Sequence, residues 1–472
     1  MGCMMSCLQP RPPVADEPPV SSLPTAHSPE TQQAGCPKGH IRPCLVVLAA
    51  AFMINFTACG LLFGFGVYQA LYESMHADTG SPFAGATPAE IDLIGSLSAS
   101  LLTLGAPLTV GWAQTLGPRL VVWAGGVVFG LAHVLASYGT ALWHFQLAQG
   151  LLVGVGACFA FMPSMVVTPT WFGKRRRIAM GITSAGTGVG GLVWAPALSA
   201  CIDHMGFRNT LRLTGALSTA LICLSGSVLR WAPASIAPPP QEGGEKACTS
   251  SRMQRLWRIP LPSWATIREY KFIAQAGGAL LQSAVYYTPV FFTVSYARSL
   301  GWSDATGANL TALSNACNAI GKVGVGFVAD KVGRLNAFFM TTLVSAVATL
   351  AFWVSSTLVG TDHAEVAKSL FIAFTVLYGL FASAYISLFS SALVELFGVG
   401  ELPRVSGVMY MMQGAAAMAG IPLAGLLIKD HGVSKRPGDY MGMSVMVGAC
   451  LLGATAAVGW VRVEASPRRA RS

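Results

Sequence analysis

Runs of twenty or more apolar residues recur along almost the whole chain, separated by short loops, and nothing else in the sequence constrains the fold as strongly. A run of that length crosses the roughly 30 Å hydrocarbon core of a bilayer as a helix. No water is available there, so the backbone must satisfy its own hydrogen bonds, which favours helices over open sheets. Counting on this basis gives twelve expected spans, near 44–72, 90–113, 119–138, 143–170, 178–202, 209–231, 269–297, 303–329, 336–359, 366–396, 404–428 and 440–462. Only 11% of the 472 residues are charged, against about 25% in soluble domains. Mean hydropathy is +0.56. The fold class is therefore an all-α membrane protein.

One long connection interrupts the series. Residues 232–267 contain APASIAPPPQEGGEKACTSSR, rich in Pro, Gly and Ser and unable to build a packed core. This linker separates two halves of six expected spans, 44–231 and 268–463, with a Pro-rich polar tail before them (1–43) and a short tail after them (464–472). Placing both tails and the linker in the cytoplasm puts 22 of the 30 Lys and Arg residues on that face and 7 on the other. That bias fixes the expected orientation, with both termini cytoplasmic. The same placement explains the net charge of +10 as contact with anionic lipid rather than with nucleic acid. The first residues, Met1-Gly2-Cys3-Met4-Met5-Ser6, fit an N-myristoylation pattern, although a chain held by many spans gains little from a lipid. The tail lacks the apolar core of a cleaved signal peptide.

The stretch WFGKRRRIAMGITSAGTGVGG at 171–191 joins two of these properties. Lys174, Arg175, Arg176 and Arg177 mark a cytoplasmic loop and offer either lipid contact or ion pairs that change as the halves move. Glycines 181, 186, 188, 190 and 191 then let helices approach closely within an apolar span. The halves also repeat each other. VGWAQTLGPR at 110–119 parallels GFVADKVGR at 326–334, and Arg177, Pro196 and Asp203 parallel Arg404, Pro422 and Asp430. Repeated six-span halves imply a transporter with its site near the midplane between them.

These motifs carry a resemblance. GFVADKVGR matches the loop motif G-x-x-x-D-R/K-x-G-R of the major facilitator superfamily through Gly326, Asp330, Lys331, Gly333 and Arg334. The resemblance implies twelve transmembrane helices in two pseudo-symmetric six-helix bundles, and a charged latch on the cytoplasmic face. The first-half copy is degenerate, with Gln114 and Thr115 where the family has Asp and Arg. The 171–191 segment resembles the signature of monocarboxylate porters. FGFGVYQALYES at 63–74 and MYMMQGAAAMAGIPLAGLLIKD at 409–430 resemble their fungal branch. Two departures stand out. Animal porters carry a lysine within the first helix, where this chain has Phe65-Gly66, and an Asp–Arg pair in the eighth, where it has Asn318 and Lys322.

Lys322 is the one unambiguous cation inside an expected span. A charge at membrane depth is costly and usually functional, so it is a candidate counter-charge for an anionic substrate. The alternative is a stem that snorkels its ammonium to the nearby interface. Asn318 lies one turn away. Gln282, Tyr286 and Tyr287 precede Pro289 in a span that reads either as a gate or as aromatic packing around a kink. Asn55 and Gln149 are polar groups in spans, suited to substrate or to interhelical bonding. Arg212, at the outer end of the sixth span, is an entry-side anion contact or an interfacial anchor.

No nucleophile motif, phosphate loop or metal-ligand spacing appears, and no cofactor is expected. The expected function is secondary active transport of a small organic acid by alternating access, with a proton as the candidate coupling ion, at the plasma membrane. Export of a secondary metabolite is the alternative within transport. A non-transporting membrane sensor is the alternative of another class.

Overall fold

The structure is a computed structural model that describes residues 41–172, 176–232, 262–360, 363–429 and 435–465. Lys174 and Arg175, the tails and most of the linker lie outside the described residues, as do the side chains of Arg176, Arg177 and Asp330. Among the described residues the chain is helical, without strands. Every stretch expected to span is helical over most of its length. Among the described residues, eight helices are long and apolar enough to cross a membrane: Arg42–Ser74, Pro118–Ser137, Leu142–Trp171, Ile178–Met205, Phe207–Val228, Arg334–Val359, Ala364–Phe389 and Pro437–Val463. A ninth arises if Pro88–Leu104 and Ala106–Thr115, bent by 49° at Gly105, count as one. The outward surface is apolar, as a lipid-facing surface must be. Leu224, Trp460, Val463 and Leu426 are all more than 60% exposed. The chain is a multi-pass membrane protein.

Local chemistry sets the helix boundaries. Thr87 and Glu90 form a reciprocal cap, Thr87 N donating to Glu90 Oε2 at 2.8 Å, with Pro88 in the first turn. Ser303 caps Asp304–Val332 through a bond from Thr306 N at 3.3 Å. The two copies of the loop motif bend alike. Gly117 (φ 93°, ψ 144°) precedes Pro118–Ser137, and Gly333 (φ 97°, ψ 143°) precedes Arg334–Ala348. Only glycine enters that region without strain.

The glycines of the fifth expected span divide between two faces of the helix Arg176–Met205. A Cβ on Gly186 or Gly190 would strike Phe52, Phe56 and Gly60 of the first span, and one on Gly188 or Gly191 would strike Asn315 and Ala319 of Asp304–Val332. One helix thus serves as the close neighbour of two others. Gly181 faces open space.

The sequence places a loop with Arg404 between the tenth and eleventh spans. The backbone is instead helical throughout Ala384–Leu426, and Arg404 pairs with Glu401 at 3.1 Å on it. Gln413 Nε2 nevertheless donates to Tyr385 Oη at 2.7 Å, 28 residues away. A straight helix would hold these residues about 40 Å apart. Phe389 and Tyr410 also meet, ring centres 5.9 Å apart. The chain therefore doubles back between Phe389 and Tyr410, and the expected reversal is present without an extended loop.

Candidate substrate-binding site

Lys322 sits where Asp304–Val332 crosses Arg176–Met205. Its side chain does not reach the interface, because only 2% of the residue is exposed. The ammonium donates to Thr187 Oγ1 and, at 3.4 Å, to the Ser184 carbonyl. It also lies 5.7 Å from the Phe63 ring centre, within cation–π range. Among the described residues no carboxylate pairs with it. Neutral oxygens and a ring face are weak compensation for a buried charge, so the position suits an incoming anion. Phe63, Ser184 and Thr187 were not legible as site residues, since each is an ordinary member of an apolar or small-residue run.

One turn away, Asn318 is buried with Oδ1 unpaired. The Tyr286 hydroxyl faces it closely enough to interact, although neither group closes a hydrogen bond of ordinary geometry among the described residues. Phe63 packs against Tyr286 and Tyr287 with ring centres 6.4 and 5.7 Å away, and the two tyrosines meet edge-on at 4.9 Å. Gln282 lies a turn before Tyr286 on the helix Tyr270–Tyr286, 1% exposed, with its Oε1 unpaired. Lys322, Asn318, Tyr286 and Tyr287 thus share one buried cluster with Phe63, which supplies a cation, spare hydrogen-bonding atoms and flat apolar walls. Such a set recognises a carboxylate with an apolar body.

The helix ends at Tyr286 and restarts at Thr288, because Pro289 has no N–H to continue it. Tyr378 Oη donates to the Tyr286 carbonyl at 3.0 Å. A neighbouring helix therefore satisfies the carbonyl at the break.

The other candidates lie elsewhere. Asn55 opens a π-helical turn, Asn55–Cys59, and donates to the Ala51 carbonyl at 2.8 Å and Ser164 Oγ at 3.0 Å, with Oδ1 left unpaired. Gln149 accepts from Tyr72 Oη at 2.9 Å, beside an aromatic stack of Tyr72 and Phe83. It ties two helices together and does not join Lys322. Arg212 is exposed, donates to Ser137 Oγ at 3.1 Å and covers the Tyr138 ring at 4.7 Å. That is the geometry of an anchor. In the loop motif, Gly326 and Arg334 are half-buried and Lys331 is exposed.

A second polar cluster went unread in the sequence. Glu73 pairs with Lys435 at 3.2 Å, and Arg298 Nη1 donates to the Ala70 carbonyl at 3.0 Å. These bonds join the first expected span to segments of the second half of the chain. A Cβ on Gly66 would lie 2.7 Å from the Phe291 carbonyl oxygen. The helices Arg42–Ser74 and Thr288–Ser299 are therefore in direct backbone contact at this end.

The family profile described as Major Facilitator Superfamily matches residues 47–362 and 276–472. Monocarboxylate transporter 13 of Bos taurus is 28% identical over 410 residues, 86% of each chain. The agnestins efflux protein AgnL12 of Paecilomyces divaricatus is 26% identical over 448 residues, 94% of this chain and 93% of that one. Among solved structures, a point mutant of the nucleoside transporter NupG superposes with a TM-score of 0.62 at 14% identity, covering 88% of this chain and 99% of its own. That likeness speaks for the fold.

Proposed function

Because this chain belongs to the Major Facilitator Superfamily, we propose that it is a secondary active transporter moving a small, monocarboxylate-like organic acid by alternating access. Twelve helices in two pseudo-symmetric six-helix bundles enclose the path, with both termini in the cytoplasm of a plasma-membrane protein. The observation that carries the reading is Lys322, a buried cation whose partners among the described residues are neutral. A carboxylate arriving there gains a charge-assisted bond, while Asn318 and Tyr286 offer it spare polar atoms. Phe63 and Tyr287 pack its apolar part. The helix Arg176–Met205, close to partners on two sides, is the pivot. Protons are the coupling ion in this reading.

The test is uptake of radiolabelled lactate, pyruvate and benzoate into yeast expressing the chain, with and without an inward proton gradient. Uptake that depends on both expression and Lys322 is the expected result. Wild-type cells with surface protein and no uptake of any of the three would overturn it. Two observations favour a second reading, export of a secondary metabolite: Lys322 has Asn318 rather than an acid one turn away, and a relative of similar length is named as an efflux protein.

A further inference from the structure

Asp92 lies in Pro88–Leu104 with no exposed surface, and among the described residues neither carboxyl oxygen closes a hydrogen bond of ordinary geometry, the Gln69 amide being its nearby polar donor. The carboxyl is pressed against Gly425, so closely that a Cβ there would collide with Oδ2. Its charged neighbours are Glu73 and Lys435, with the Gln69 amide beside them. Tyr440 adjoins Asp92 and Glu73, and Arg298 and Asp439 adjoin Tyr440. Lys429 approaches through its backbone N–H, which bonds the Asp439 carbonyl at 3.2 Å. On its own helix, Glu90 is engaged in the Thr87 cap. The ammonium beside Asp92 among the described residues, that of Lys435, is already bonded to Glu73, whose side chain is 7% exposed.

The local charge balance admits one carboxylate beside Lys435, and Glu73 fills that role. A second carboxylate there, with the Gln69 amide beside it and no cation of its own among the described residues, would be buried with little compensation. We propose that Asp92 is a proton-binding site that latches this mouth of the pathway: it holds a proton while the helices around Gly425 and Glu73 are closed, and releases it to water when they part. The step balances simply, since Asp92 carboxylic acid yields the carboxylate and one proton to the solvent, with no redox change. Once ionised, Asp92 competes with Glu73 for Lys435 and repels Glu73, so reclosure requires reprotonation. Low pH on the side of this mouth therefore favours the shut state and high pH the open one. The proposal uses the alternating-access reading only to say what the latch serves.

Two measurements on purified full-length protein in liposomes, both without substrate, test it. Infrared spectra of wild type carrying 13C-labelled aspartate should show an isotope-shifted protonated-carboxyl band at neutral pH. Absence of the band overturns the proposal even if no variant can be purified, and so does its persistence in folded Asp92→Asn. Hydrogen–deuterium exchange of peptides covering 65–74 and 288–299, corrected for intrinsic rates, should rise with pH in wild type. In Asp92→Asn it should stay low at every pH. A flat wild-type profile, or the same rise in both proteins, refutes the latch. Failure to find a transported acid leaves both readouts intact.

Discussion

Replacing Gly188 with alanine probes a tight backbone contact between the helices Arg176–Met205 and Asp304–Val332. A Cβ at this position would lie 2.6 Å from both Ala319 N and the Asn315 carbonyl oxygen, and 2.9 Å from Ala319 Cβ. Comfortable carbon contacts begin near 3.5 Å, so the helices Arg176–Met205 and Asp304–Val332 must separate by roughly 1 Å. The obstructing atoms are mostly backbone and cannot rotate away. Overpacking of this kind costs about 1–3 kcal/mol, offset by the roughly 1 kcal/mol that alanine gains over glycine in a helix. The net loss is about 0–2 kcal/mol. Gly181 is the internal control, because a Cβ there meets nothing within 4 Å. Gly181→Ala should gain about 0.5–1 kcal/mol from helix propensity alone. Tryptophan-fluorescence melting of the purified proteins should place Gly188→Ala a few degrees below wild type and Gly181→Ala at or above it, at about 2–4 °C per kcal/mol or somewhat less for a chain of this size. If Gly188→Ala melts with or above Gly181→Ala, the close approach of these helices is wrong.

Lys322→Met should keep surface expression while reducing uptake of a transported carboxylate by about 10–100-fold, the equivalent of losing one hydrogen bond to a charged group; initial rates at low substrate measure it. Arg212→Ala removes an exposed cation–π contact worth about 0.5–1 kcal/mol, so melting should shift slightly and uptake not at all. Tyr385→Phe leaves the Gln413 amide without its hydroxyl partner and should destabilise by about 1–3 kcal/mol, read as a lower melting temperature with a normal elution volume. Gly425→Ala should lower melting by several degrees and leave the mouth near Asp92 more exchangeable at every pH, because the new methyl group occupies the space of the carboxyl oxygen.

The spans were legible because lipid imposes length and apolarity on each segment independently of its neighbours. Lys322 was legible for the same reason, as a charge where charge is costly. Its surroundings were not. Thr187 is 135 residues from it in sequence, and nothing in a small hydroxyl reports which helix it will face. The pair Glu73 and Lys435 is separated by 362 residues, and Asp92 reads locally as a polar residue near a helix start. The glycine run was visible as a site of close approach, but its division between two partner helices depends on the phase of the helix in three dimensions. Gln149 and Arg212 show the converse. Their residue types suit ligands, and their neighbours make them fasteners between helices.

The paired glycine corners at Gly117 and Gly333 separate two things that the repeated halves inherited together. Their dihedrals agree within a few degrees, while the side chains around them have diverged, with Gln114 and Thr115 in one copy and Asp330 and Lys331 in the other. A left-handed corner has no substitute for glycine that avoids a cost of about 1–2 kcal/mol, so neither copy can drift. A charged fastening can vanish from one half and leave the bend intact. The two corners are therefore alike in backbone and unlike in charge: one copy keeps Asp330, Lys331 and Arg334 around its glycine, and the other keeps Arg119 without the acid.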